Sequence, residues 1–150
     1  MAGTLSNHRP VFSKKPKLFS GFVNSVGICT INSGTPSNQY EICTCDTSAG
    51  WILDRLKVVL SAEPSETTSD MIFYLCVYNP DLSSWYVYDT VEVNSVTVSQ
   101  TVSPPKFEYI FSGGLILPES WRFGISRSYD SGNSYDNFYF TLEGGNLEDT

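Results

Sequence analysis

Met71-Ile72-Phe73-Tyr74-Leu75-Cys76-Val77-Tyr78, Asn79-Pro80-Asp81-Leu82-Ser83-Ser84 and Trp85-Tyr86-Val87-Tyr88-Asp89-Thr90-Val91-Glu92-Val93 follow one another in a chain of 150 residues, and their contrast decides the fold. The first segment carries no charge and is too short to cross a bilayer, which predicts a strand covered on both faces. The third alternates, with Trp85, Val87, Val91 and Val93 on one side and Tyr86, Tyr88, Thr90 and Glu92 on the other. A Pro-Asp turn between them makes an antiparallel hairpin of one central and one half-solvated strand.

Working outward, the same alternation recurs. Gly21 to Ile31 reads as a first strand, with Phe22 and the series Val26, Ile28 and Thr30 on one side, before turn chemistry from Asn32 to Asn38. Gln39 to Asp46 places Tyr40 and Ile42 opposite Glu41, Cys43 and Cys45. Thr47 to Ala62 fits a helical stripe as well as a strand, but Val58-Val59-Leu60 and Gly50 favour the strand. Val96 to Val102 predicts a further strand stopped by Pro104-Pro105, followed by Phe107 to Phe111 and Leu115 to Leu117 on either side of Gly113-Gly114. Trp121 to Ser128, with Trp121, Phe123 and Ile125 inward, and Phe138 to Glu143 complete the set. Eight to ten short strands with regular turn signals and no repeat predict an all-β fold, an antiparallel β-sandwich, jelly-roll-like, with an extended N-terminal arm.

The length suits one domain able to bury a core without disulfide staples. Charged residues make up 17% of the chain, below the roughly 25% usual in soluble domains, so part of the surface is expected to meet another protein. The formal charge of −7 is divided unevenly, +4 over residues 1 to 40 and −11 over residues 41 to 150. Residues 1 to 19 read as a proline-broken basic arm and residues 20 to 150 as the sandwich domain. In the arm, Val11, Phe12, Leu18 and Phe19 are candidate anchors on a partner subunit, and Arg9, Lys14, Lys15 and Lys17 are candidate partners for its acids. An acidic body repels polyanions, which argues against nucleic acid as a partner. No stretch reads as a membrane helix, and Met1 to Pro10 lacks the apolar core of a leader. Cys29, Cys43, Cys45 and Cys76 read as reduced thiols packed as small hydrophobes in a protein made in a host cytoplasm.

Catalytic chemistry finds little support. The lone histidine, His8, stands in the arm, so a histidine-based triad has no base, and Asp89, Glu92, Glu108 and Glu119 are scattered singly. The expectation is a non-enzyme with no metal and no cofactor. Asp130 to Asn137 holds several oxygens that a calcium ion could use, but a hairpin tip needs the same residue types. Trp85, Tyr86, Tyr88, Tyr129 and Tyr135 are candidate glycan-stacking or interface aromatics.

Leu53-Asp54-Arg55-Leu56-Lys57-Val58-Val59, Tyr86-Val87-Tyr88-Asp89-Thr90-Val91-Glu92-Val93, Thr97-Val98-Ser99, Leu115-Ile116-Leu117-Pro118-Glu119-Ser120-Trp121 and a late Gly144-Gly145 together resemble small accessory virion proteins of tailed bacteriophages. Two positions depart from that pattern, Ser120 where glycine is expected after the Leu-Pro turn and Asn146 where aspartate is commoner. The resemblance implies a jelly roll on the virion surface that cements or decorates the head, binding the major capsid protein and further copies of itself as a dimer or trimer. The alternative is a carbohydrate- or receptor-binding module on a tail or head fibre.

Overall fold

The computed structural model describes residues 14–24, 26–129 and 132–147. Ten strands and one short turn of 3-10 helix form in chain order: β1 (Lys14–Val23), β2 (Ile31–Asn32), β3 (Thr35–Pro36), β4 (Tyr40–Thr44), β5 (Trp51–Leu60), β6 (Met71–Asn79), β7 (Ser84–Val93), β8 (Lys106–Leu117), β9 (Arg122–Arg127), the turn Ser134–Asp136 and β10 (Phe138–Leu147). One sheet has the order β1-β10-β5-β8, the other β4-β9-β6-β7, and β2 with β3 makes a small separate hairpin. All the pairings within these sheets are antiparallel. The chain changes sheet at nearly every connection, which is the winding of a jelly roll.

The alternating pattern becomes a core because both sheets turn the same kind of side chain inward. Leu56, Val58 and Leu60 of β5 and Phe138 and Leu142 of β10 meet Phe73 and Leu75 of β6 and Phe123 and Ile125 of β9, all essentially inaccessible. Rings interlock across the gap edge to face: Phe73 with Phe138 at 5.2 Å and Phe111 with Phe123 at 5.5 Å between centroids. Each such fully buried side chain stabilises the sandwich by about 1.5–3 kcal/mol relative to exposure. β6 lies between β9 and β7; its inward residues and Cys76 are buried, and Ile72, Tyr74 and Tyr78 on its outer side are half-buried, while β3 of the small hairpin lies against β7. The expectation of a strand covered on both faces holds for the inner side and only in part for the outer, and the strand reading of residues 51–60 holds.

Four sequence expectations are corrected. The first strand does not run from Gly21 to Ile31; it is β1, Lys14–Val23, paired along its full length with β10, so the arm's boundary at residue 19 falls inside the sheet. An edge strand tolerates Pro16, whose missing N–H is not needed on the open side. Beyond β1, Ile28 makes only an isolated bridge to Arg127, and Val26 and Cys29 are buried while Ile28 is exposed. Residues 96–102 do not form a strand: Thr97 bridges Thr67, Val98 is buried, and main-chain bonds tie Val96 and Val98 to the loop at residues 65–68.

The other two corrections come from bulges. In β7 the register with β6 shifts between Leu75 and Cys76, making Tyr88 the extra residue. A bulge reverses which face successive side chains take. Trp85 and Val87 therefore pair with Tyr78 and Cys76 on the outer side, while Val91 and Val93 pair with Phe73 and Met71 on the core side. In β4 the shift between Glu41 and Cys43 leaves Ile42 as the extra residue. Tyr40, whose ring lies 5.8 Å from Phe140, then shares the inner side with Cys43.

Candidate interaction surface

The outer face of the β1-β10-β5-β8 sheet collects the most distinctive surface among the described residues. Cross-strand register lays its outward side chains in four levels. Phe22, Tyr139, Val59 and Lys106 form one; Ser20, Thr141, Lys57 and Glu108 the next; Leu18, Glu143, Arg55 and Ile110 the third; and Pro16, Gly145, Ile52 and Ile116 the last. The outer levels are largely apolar and the middle is charged. Leu18, Ile110, Ile116 and Tyr139 are each more than half exposed, at 66%, 57%, 57% and 54%, with Phe22 and Val59 also open. Single exposed hydrophobics are ordinary, but six on one sheet face form a patch of the kind that marks a contact surface.

The charges in the middle pair with one another. Arg55 Nε donates to Glu143 Oε2, and Arg55 also lies 3.6 Å from Glu108, which Lys57 approaches at 3.8 Å. The hydrogen bond from Arg55 holds the Glu143 carboxyl below the usual range, and the same bond raises the Arg55 guanidinium. These groups are exposed, so salt screens them and they contribute little to the fold by themselves.

The face is dented beside this patch. β5 and β10 slip register between Glu143 and Gly144, and β5 and β8 slip between Leu53 and Arg55, so both irregularities meet at Asp54. Gly113 and Gly114 turn β8 through positive φ values of 74° and 84° at the same level. A β-carbon on Gly144 would collide with the Ile52 carbonyl oxygen, so glycine is required where the two strands close. The result is an open depression of about 670 Å³ bordered by Leu18, Asp54, Arg55, Ile110 and Glu143.

The arm residues named from the sequence divide. Arg9, Val11 and Phe12 lie outside the described residues. The main chain of Lys14 pairs with Leu147, and Lys15 is exposed. Lys17 sits 4.9 Å over the Trp51 ring, and Phe19 stacks on the same ring at 5.4 Å, so both lie against their own body. Leu18 points outward from between them.

The aromatic candidates do not assemble into one platform. Trp85 leans on Tyr78 at 5.4 Å and over Gly124, where a β-carbon would press on its ring. Tyr88 instead packs beside Phe111, at 5.9 Å, and Tyr86 is exposed on the same edge strand. Tyr129 and Tyr135 lie near the opposite end of the sheet, where Ser128 bonds to Ile72; the Tyr135 hydroxyl is 2.7 Å from Asn133 Nδ2. In the same region Asp136 is buried and accepts from the Ser69 main-chain N–H at 3.1 Å and hydroxyl at 2.9 Å. Its carboxylate is thereby turned into the protein, and because β9 and β10 belong to different sheets the segment between them is an inter-sheet loop and not the expected hairpin tip. Asp130 and Ser131 lie outside the described residues.

Sequence reasoning missed the sheet face and a buried arginine. Arg127 is wholly inaccessible, donates to the main-chain oxygen of Asp136 and lies 5.6 Å over the Phe138 ring. Its signal was present, since Arg127 continues the inward parity of Phe123 and Ile125. The face had no local signal, because Leu18, Tyr139, Val59 and Ile110 are outward residues on four strands far apart in the chain.

No protein-family model and no curated protein matches the sequence. Among solved structures the chain is similar to a structure of infectious bursal disease virus, Gx strain, at 12% identity and a TM-score of 0.32, over 87% of this chain and 33% of that chain. The chain thus spans about a third of the length of that viral chain.

Proposed function

We propose that the protein is a non-enzymatic structural component of a virion, a cement or decoration subunit on a bacteriophage head. The observation that carries this reading is where the basic segment is rooted. β1, which follows Arg9, Val11 and Phe12 in the chain, is the edge strand of the same sheet whose outer face carries the apolar levels. Adhesion therefore has two parts: an acidic body with an apolar, charge-patched face, and a leading basic segment with hydrophobic anchors. In the proposed mechanism the bodies pair with one another while the leading segment lies across junctions between major capsid protein subunits. The added buried area stabilises the head by mass action, since anything bound only to the assembled state favours it.

The test is removal of residues 1–13, which leaves β1 whole. Cutting at residue 19 would strip Lys14–Phe19 from β10 and confuse loss of binding with loss of fold. The shortened protein is expected to melt as the full chain does, yet to co-sediment at least roughly tenfold more weakly, a loss of about 1.4 kcal/mol, with heads isolated without it. Undiminished co-sedimentation would overturn the role given to the segment.

A further inference from the structure

We propose that two copies of the chain pair through the outer faces of their β1-β10-β5-β8 sheets, about a two-fold axis lying in the interface close to the strand direction. This deepens the adhesive reading by naming the body's own partner, but it rests on the face alone.

The face is complementary to itself under that operation. A two-fold axis along the strands reverses strand order and keeps each level in place, so β1 lies over the partner's β8 and β10 over the partner's β5. At the third level Glu143 then meets the partner's Arg55 and Leu18 meets the partner's Ile110, each contact made twice. At the first level Tyr139 covers the partner's Val59, and Phe22 receives the partner's Lys106 over its ring. At the second, Ser20 faces the partner's Glu108. At the fourth, Ile52 and Ile116 reach the partner's Gly145 and Pro16. The pairing of opposite charges and of apolar with apolar follows from the observed register alone.

Charge and area favour a second copy. The chain carries a formal charge of −7, yet this face is balanced, with Arg55, Lys57 and Lys106 against Asp54, Glu108 and Glu143. Two copies thus meet where their mutual repulsion is least. Four strands about 4.8 Å apart and eight residues long present roughly 500 Å² in projection, and side-chain relief brings the buried surface toward the ~800 Å² per partner of a small specific interface. Aligned sheets pack at about 30°, which an axis tilted roughly 15° from the strands supplies. Edge-to-edge pairing is the weaker geometry, because β1 carries Pro16 with Lys14, Lys15 and Lys17, and β8 is kinked at Gly113 and Gly114.

Sedimentation velocity on the full chain, without heads, tests this over a range of concentrations. Self-association is expected and should be lost, by at least roughly tenfold in dissociation constant, in both Arg55→Glu and Glu143→Arg. The decisive arm is the equimolar mixture of those two variants: each repels itself at the third level, but the two acids at positions 55 and 143 of one match the two arginines at those positions of the other, so the mixture should associate. Failure of the mixture to associate, with both variants folded by circular dichroism, overturns the proposal. Ile110→Asp, at an exposed position, provides a second loss-of-association variant should either charge variant not fold. Association that rises on removing residues 1–13 would also overturn it, by showing that the chain's own leading segment occupies the face. Because heads are absent, failure here and failure of head binding are separate results.

Discussion

The Tyr109 hydroxyl donates to Asp89 Oδ2 at 2.6 Å, joining β8 of one sheet to β7 of the other along an open side of the sandwich. The bond holds the Asp89 carboxyl below its usual range, and burial followed by the Asp89 contact holds the Tyr109 phenol above its own. A depressed carboxyl contributes stability that is present above the unfolded value of about 4 and lost as pH falls through the folded value. A raised phenol contributes stability present below about 10 and lost above it. Tyr109→Phe is therefore expected to cost about 0.5–1.5 kcal/mol at neutral pH and to flatten the acid limb of a plot of stability against pH. An unchanged acid limb in urea titrations would contradict the assignment.

The four cysteines are buried and unpaired. Burial raises the thiols of Cys43 and Cys76 to about 12 from an ordinary value of 9.0. That contribution is complete below pH about 9 and declines toward pH 12, where the unfolded chain ionises and the folded one does not; the two thiols together supply a few kcal/mol of alkaline slope. Ellman's reagent at pH 8 is expected to find no fast thiol in the native protein and four after denaturation. Rapid labelling of any cysteine before unfolding would show that it is not packed as described.

Asp136 holds the loop before β10 through both bonds from Ser69. Asp136→Ala leaves the half-buried Ser69 N–H and hydroxyl without their acceptor and is expected to destabilise the protein by about 1–3 kcal/mol. Asp136→Asn, which keeps an oxygen, should lose less. Equal losses in thermal melts would mean that the charge, and not the pair of bonds, is what matters.

Ser120 sits at φ 74°, in the left-handed region, two residues after Pro118. A non-glycine residue there costs about 1–2 kcal/mol, partly offset by glycine's greater freedom in the unfolded chain, so Ser120→Gly is expected to stabilise by about 0.5–1 kcal/mol. A lower melting temperature for this variant would count against the geometry of the β8–β9 turn.

The sequence by itself determined that this is a sheet protein with a hairpin at its centre. A charge-free run at residues 71–78, a period of two in β5 and β9, and prolines and glycines between segments are local signals, and each depends only on near neighbours. The parity of Phe123 and Ile125 extends to Arg127, a signal that sequence reasoning passed over, and the glycine expected at Ser120 came from the resemblance and not from the residues around it. Tertiary structure decided the rest, because those outcomes depend on pairing. β1 became a strand because β10 pairs with it along its whole length, whereas residues 96–98 spend their main-chain bonds on the loop at residues 65–68 and join neither sheet. One extra residue at Tyr88 sent Trp85 and Val91 to opposite faces, which no alternation rule can foresee. The outer face exists because Arg55 and Glu143, 88 residues apart in the chain, are brought side by side. Period and turn chemistry are written along the backbone; which strands lie next to which is settled by competition for edges and core volume across the whole chain.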